Sequence, residues 1–212
     1  MLIAAVAVAD RVGIDGMTMR TLSQDLGVVP MALYKHVANK EDLLDGMVDI
    51  VWSEVAAPAQ GPDWRSEMRR RSVSLRQALG RHRWANGLME GRMRPGPANL
   101  AAHNAMLGCL RSAGFSFSTA VHTTSALDAY IYGFALQERG LGFETAEESG
   151  AVARQKRDLQ PPAAMELYPY LIEMVVEMSR GGYDFTVEFE TGLDLLLDGV
   201  ERLRPEWATA GR

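Results

Sequence analysis

Residues 18–40 read TMRTLSQDLGVVPMALYKHVANK. Leu22 and Leu26 stand one helical turn apart, Gly27-Val28-Val29-Pro30 follows, and Leu33 and Val37 then repeat the spacing. Gly27 suits the left-handed backbone just past a first helix, and Pro30 suits the first turn of a second, where its missing N–H costs nothing. Two short helices joined at such a turn form a helix-turn-helix, whose second member can enter the major groove of DNA. The same spacing also describes an ordinary corner between helices, so the side chains must separate the readings. On a helix from Pro30 to His36, Leu33 and Val37 face inward, leaving Met31, Ala32, Tyr34, Lys35 and His36 outside. Small, aromatic and donor-bearing groups on one exposed face suit base edges, thymine methyls and phosphates.

Met17-Thr18-Met19-Arg20 opens the first of these helices and Leu26-Gly27-Val28 forms the turn; Leu33-Tyr34-Lys35-His36-Val37 and Asn39-Lys40-Glu41-Asp42-Leu43-Leu44 come after it. In this order the segments resemble the TetR family of one-component transcriptional repressors. The resemblance implies that Tyr34 and His36 contact phosphates, that Lys40 clamps a phosphate at the next helix start, and that Thr18 and Arg20 contribute from the first helix. Met31, Ala32 and Lys35 match the base-facing positions. Val29 departs from the family, which usually places a small polar N-cap there. Valine cannot accept the N–H bond, a loss of roughly 0.5–2 kcal/mol in typical helices.

The 212 residues are 47% hydrophobic, enough for one large or two small buried cores. The apolar run from Met1 to Ala9 is too short to span a bilayer and no basic region precedes it, so neither a membrane helix nor a signal peptide is expected. Cys109 is the single cysteine, which excludes an internal disulfide and suits the cytoplasm. A net charge of −5 looks wrong for a DNA binder, but local charge decides. Between Thr18 and Lys40 the bases Arg20, Lys35 and Lys40 face Asp25 alone. So weak a basic balance argues for two reading heads rather than one.

The chain opens with an apolar helical face, Leu2-Ile3-Ala5-Val6-Ala9-Val12, that ends near Gly13. Relatives usually start earlier and are more basic there. Asn39 caps a helix through Val55 with Leu43, Leu44, Met47, Val48, Val51 and Trp52 on its apolar side, a helix placed to transmit motion from the head. Ala56 to Pro62 is the predicted boundary between a helix-turn-helix domain over 1–55, connecting helix 40–55 included, and a larger domain over 63–204. Asp63 caps a helix with Trp64, Met68, Leu75 and Leu79 inward; Arg65, Arg69, Arg70, Arg71 and Arg76 read as a solvated outer face. Broken pieces over 80–96 lead to a helix from Pro97 to Gly114. Ser116 or Ser118 then caps a long one to about Arg139. Gly140 to Pro162 lacks periodicity and reads as a mobile connection. Helices over about 169–180, stopped by Gly181-Gly182, and 186–203, terminated by Pro205, complete an all-α fold without any β-pattern.

The second half resembles the C-terminal domain of the tetracycline-repressor branch. Arg81-His82-Arg83-Trp84, Arg94-Pro95, Ala113-Gly114-Phe115-Ser116, Tyr132-Gly133-Phe134-Ala135-Leu136-Gln137-Glu138 and the stretch from Phe189 to Gly199 carry the likeness. It implies a homodimer through helices 118–139 and 186–203, and an effector pocket between the middle helices. Candidate lining residues are Trp52, Leu75, Trp84, Met89, His103, Met106, Tyr130 and Phe134, each of which also suits plain core. Around Leu88-Met89-Glu90 the chain lacks the magnesium-ligating histidine of tetracycline repressors, so a small apolar or planar effector is expected in place of magnesium-bound tetracycline. No cofactor and no structural metal are expected. His36, His82, His103 and His122 are scattered, and neither a G-x-S-x-G elbow nor a phosphate-binding glycine loop is present, which argues against an enzyme. Two readings remain: a repressor released by its effector from a palindromic operator in double-stranded DNA, and a helical ligand-binding dimer with little DNA affinity.

Overall fold

The computed structural model describes residues 1–143, 145–159 and 167–204, in which ten α-helices and no strand are found. The chain divides into two compact units, Met1–Ala135 with the chain from Leu196 onward, and Leu136–Leu195.

In the first unit α1, Leu2–Gly16, bends at Gly13, whose φ of 75° takes it out of the helix, and buries Ala5, Val6, Val8 and Ala9. Thr18 caps α2, Met19–Asp25, in a reciprocal box: its hydroxyl accepts the Thr21 amide at 3.1 Å and the Thr21 hydroxyl accepts the Thr18 amide at 2.8 Å. Gly27 turns the chain at φ 66° into α3, Pro30–Leu33. This helix is shorter than its sequence predicts. Beyond Leu33 the chain tightens into turns, the His36 amide bonding the Leu33 carbonyl at 2.9 Å, as i to i+3 bonds do at a helix end. Leu33 and Val37 are buried as expected. Leu26, expected to follow Leu22 inward, is 37% exposed because it stands at the turn, past the last residue of α2.

Asn39 caps α4, Lys40–Ser53, accepting the Asp42 amide at 2.9 Å, while the Asp42 carboxylate accepts the Ala38 amide at 2.9 Å. Leu43, Leu44, Met47, Val48, Val51 and Trp52 are buried on this helix, which packs against α1 and α6. Asp63 caps α5, Trp64–Arg81, by accepting the Ser66 amide at 3.3 Å. The arginine face of α5 needs one correction: Arg71 is not outward but 1% exposed. It sits at a core position between Met68 and Leu75, where the charge of Asp128 meets it. α6, Pro97–Ser112, ends at Gly114 (φ 93°), and Ser116 caps α7, Phe117–Gly140, accepting the Thr119 amide at 3.0 Å. The end of the last helix is tied in by Trp64, which donates to Glu201 at 3.1 Å and stands edge-on to Phe115 at 4.9 Å.

The second unit corrects the expectation of a mobile connection after Gly140. Residues Ala146–Asp158 form a helix, α8, begun by a capping box in which Thr145 and Glu148 exchange bonds. Its buried side is made of Ser149, Gly150 and Ala153, too small to register as an apolar stripe. They let α9, Pro169–Gly181, pack close, with Arg154 donating to the Ser179 carbonyl at 2.8 Å. Gly182, at φ 75°, ends α9 where an added Cβ would overlap the Ala146 carbonyl. Phe143 and Phe185 stack at 5.2 Å beside Tyr183. α10, Phe185–Glu201, buries Phe185, Phe189, Leu193 and Leu197 at four-residue spacing. Residues 160–162 and Pro205, which figured in the sequence reading, lie outside the described residues. Among the described residues no helix is long and apolar enough to cross a membrane.

Candidate nucleic-acid interface and ligand site

Burial of Leu33 and Val37 rotates the rest of α3 and its turn outward. Met31 is 72% exposed and Tyr34 47%, Lys35 and His36 are exposed, and Ala32 is half-buried. Thr18, Arg20 and Lys40 are exposed on the neighbouring helix starts. The side chains of Arg20, Lys35 and Lys40 form neither hydrogen bond nor ion pair with a described residue. Asp25, the acid among them, is held by Arg11 at 2.7 Å. The outer face of the head is thus a set of uncommitted donors with its nearby negative charge already answered, the condition for binding phosphate.

Behind this face, one side of α4 is fastened along its length. Arg92 donates to Asp45 at 2.5 Å and to Glu41 at 3.0 Å. One turn on, Asp49 accepts the Asn99 amide at 2.9 Å at the start of α6, and an added Cβ on Gly96 would overlap the Asp49 carboxyl group. At the far end Glu54 receives Arg81 at 2.7 Å and faces His82 at 3.1 Å. Burial pushes the Glu54 carboxyl up, but the Arg81 and His82 hydrogen bonds outweigh it and hold the group below the ordinary range. The other nitrogen of His82 lies 2.8 Å from Asp10 of α1, whose same oxygen accepts the Trp84 indole at 2.7 Å. A cleft of about 390 Å³ opens beside the Arg92 bonds, lined by Ala38, Asn39, Asp42, Gly91, Met93 and Arg94 among others. Sequence reasoning missed these bonds, although Glu41, Asp45 and Asp49 recur at four-residue spacing, a readable acidic stripe.

The eight residues expected to line a pocket fall into groups. Trp52 and His103 meet at 5.0 Å with their planes tilted by 56°. Tyr130 and Phe134 meet at 5.9 Å, with the Arg76 guanidinium 5.3 Å from the Phe134 ring. Leu75, Met89 and Met106 are buried, and Trp84 is committed to Asp10. Beside the first group lies a polar cluster that the sequence reading did not find. Arg71 Nη1 is paired with Asp128 Oδ1 at 2.8 Å, while Arg71 Nε and Nη2 have no hydrogen-bond partner among the described residues. Trp52 Nε1 and Thr123 Oγ1 are buried in the same condition. Each such group costs about 1–3 kcal/mol. Arg71 was findable: it stands three residues after Met68 and four before Leu75, on the apolar side of α5.

Ligand atoms of Glu90, His103 and Asp128 lie within 4.8 Å of one another, a grouping invisible in their scattered positions. His103 Nδ1 donates to the Asn99 carbonyl at 2.9 Å, which leaves Nε2 as the acceptor. A divalent cation would find three donors here, but the Arg71 guanidinium already stands on Asp128. Tyr132 donates to Glu90 at 3.0 Å; burial first, then the charges of Asp128 and Glu90, push its phenol well above the usual value, so it stays a donor. Burial likewise pushes the Cys109 thiol up to about 11, and the group is core rather than reactive.

The chain matches two family models: bacterial regulatory proteins of the tetR family over residues 2–47, and the tetracyclin repressor-like C-terminal domain over residues 57–204. It is 32% identical to the tetracycline repressor protein class A from transposon 1721 of Escherichia coli, over 95% of this chain and 88% of that one. It is 31% identical to an HTH-type transcriptional regulator of Saccharopolyspora erythraea, over 98% and 83%. Among solved structures, that of Streptomyces coelicolor ActR in complex with actinorhodin superposes with a TM-score of 0.80 at 26% identity, covering 97% of this chain and 95% of the other.

Proposed function

From the premise that the chain belongs to the TetR family and is a DNA-binding transcriptional regulator with a ligand-binding C-terminal domain, we propose that it is a cytoplasmic repressor, released by a small planar or apolar effector from a palindromic operator. The exposed donor set of the head carries this reading: Tyr34, His36 and Lys40 bind phosphates with Thr18 and Arg20, and Met31, Ala32 and Lys35 read bases. We assign DNA to residues 1–55, and effector and dimerisation to residues 63–204.

A homodimer through helices 118–139 and 186–203 supplies the second head. Val121, Leu136, Val187 and Leu195 support it, each a large apolar side chain left 38% to 71% exposed on those helices. Two recognition elements then enter successive major grooves about one helical turn apart. Effector binding near Trp52, His103 and Met106 displaces α6 against α4, and α4 carries the displacement to the head through Asp49, Asp45 and Glu41. DNA and effector oppose each other with a coupling of about 1–3 kcal/mol.

Selection of sites from random double-stranded DNA tests the reading. The expected product is one palindrome, bound with an affinity that falls steeply between low and moderate salt. Selection that enriches no palindrome would leave the alternative, a helical ligand-binding dimer with little DNA affinity.

A further inference from the structure

We propose that Val29 and Met31 make the reading head a detector of thymine methyl groups, so that each half-site of the operator carries a thymine whose C5 methyl they cover. This rests on the reading of the head as a DNA binder; it adds the base feature that the head selects, and adds Val29 to the residues that select it. The run Val28-Val29-Pro30-Met31 is apolar throughout, yet Val28 is 44% exposed, Val29 69% and Met31 72%. Leu33 and Val37, a few residues on, are 3% and 6% exposed, so the head has a core for apolar groups and leaves these out of it. Val29 also holds the N-cap position of α3, where a serine or threonine would accept an amide, and makes no side-chain bond there. The chain thus gives up a cap in order to place an apolar group in water, which packing within the protein does not explain.

Charge names the occupant. The outer face of the head carries Arg20, Lys35 and Lys40, exposed and unbonded to any described residue, while Asp25 is held by Arg11 at 2.7 Å. An apolar patch within a cationic face complements a polyanion that shows apolar groups between its phosphates, and duplex DNA is one. In the major groove every base edge offers donors or acceptors, and a single apolar group occurs, the thymine C5 methyl. Val29 and Met31 carry no N–H or O–H, so they have nothing to donate to guanine or adenine, and thymine is the base whose edge they cover favourably. The leading residues of a recognition helix are those that reach base edges, and Val29 and Met31 flank Pro30, the first residue of α3. A serine at position 29 would hold α3 more firmly but would hydrogen-bond to any base; valine loses that bond and gains discrimination. Covering one methyl amounts to roughly fourfold in affinity, and two half-sites together to about fifteenfold.

The test uses the full-length protein without effector and the palindrome selected from random DNA. Each thymine of that palindrome is replaced in turn, in both half-sites, by deoxyuridine, which removes the C5 methyl and keeps every hydrogen-bonding group. For at least one thymine of the half-site the affinity is expected to fall about fifteenfold. At the same step a cytosine should bind weakly, and 5-methylcytosine, whose methyl occupies the same place in the groove, should recover part of the loss. The double variant Val29→Ser, Met31→Gln should bind the thymine and deoxyuridine operators alike. Because Val29→Ser restores a cap, urea unfolding of that single variant should show no loss of stability, which separates a lost contact from a folding defect. Deoxyuridine tolerated at every position, or discrimination undiminished in the double variant, overturns the inference and would assign the patch to a protein partner instead. A palindrome indifferent to the methyl fails this inference alone, whereas enrichment of no palindrome fails the DNA reading and this inference with it.

Discussion

Arg20, Lys35 and Lys40 on the head and Arg71, Arg81 and Arg92 in the body carry the same charge and are treated in opposite ways. The first three project into solvent uncommitted, whereas Arg71, Arg81 and Arg92 stand 2.8, 2.7 and 2.5 Å from Asp128, Glu54 and Asp45. A chain of net charge −5 can still present a cationic face, because cations such as Arg71, Arg81 and Arg92 are matched internally and cancel where they stand. Position in the helix, not composition, separates a cation left to solvent from one that holds the molecule together.

The largest effect should come from breaking the buried member of that contrast. Arg71→Ala strands the Asp128 carboxylate and should cost about 3–5 kcal/mol in urea unfolding, whereas replacing both partners by apolar residues should cost far less. Next comes the head: replacing Tyr34 and Lys40 together by alanine should lower operator affinity roughly a hundredfold, the loss of two phosphate contacts, while sedimentation shows an unaltered dimer. A mid-sized effect is expected where head meets body. Asp10→Ala removes one acceptor from both Trp84 and His82 and should cost about 1–3 kcal/mol. The pH dependence of Glu54 sharpens the comparison further. Its carboxyl is depressed in the folded state, so its contribution is complete above the ordinary value of 4.5 and is lost as pH falls below that through the lowered one. The stability difference between wild type and Glu54→Gln should therefore shrink on acidification, and a difference constant from pH 7 to pH 3 would contradict the assignment. The smallest change is Val29→Ser, which restores a side-chain cap to α3 and should add about 0.5–1 kcal/mol.

What could be read from residues alone followed a rule of locality. Gly27, Pro30, Asn39 and Asp63 each act on backbone within a turn of themselves, and each does what its chemistry required. α8 escaped because Ser149, Gly150 and Ala153 mark a buried side by smallness instead of hydrophobicity. Arg71 escaped because its counter-charge lies on α7, and a charged residue without a partner in its own stretch of sequence reads as surface. In the candidate site the aromatic and methionine walls were legible as types, while the meeting of Glu90, His103 and Asp128 depends on three separate stretches of chain brought together by the fold.

Gly96 bears on how such a molecule responds to what it binds. Since not even a methyl group fits between that glycine and Asp49, the two helices meet there without clearance, like gear teeth cut to zero backlash. A single alanine at position 96 has to displace the Asp49 side chain and with it the bond to the Asn99 amide that ties the α6 start to α4.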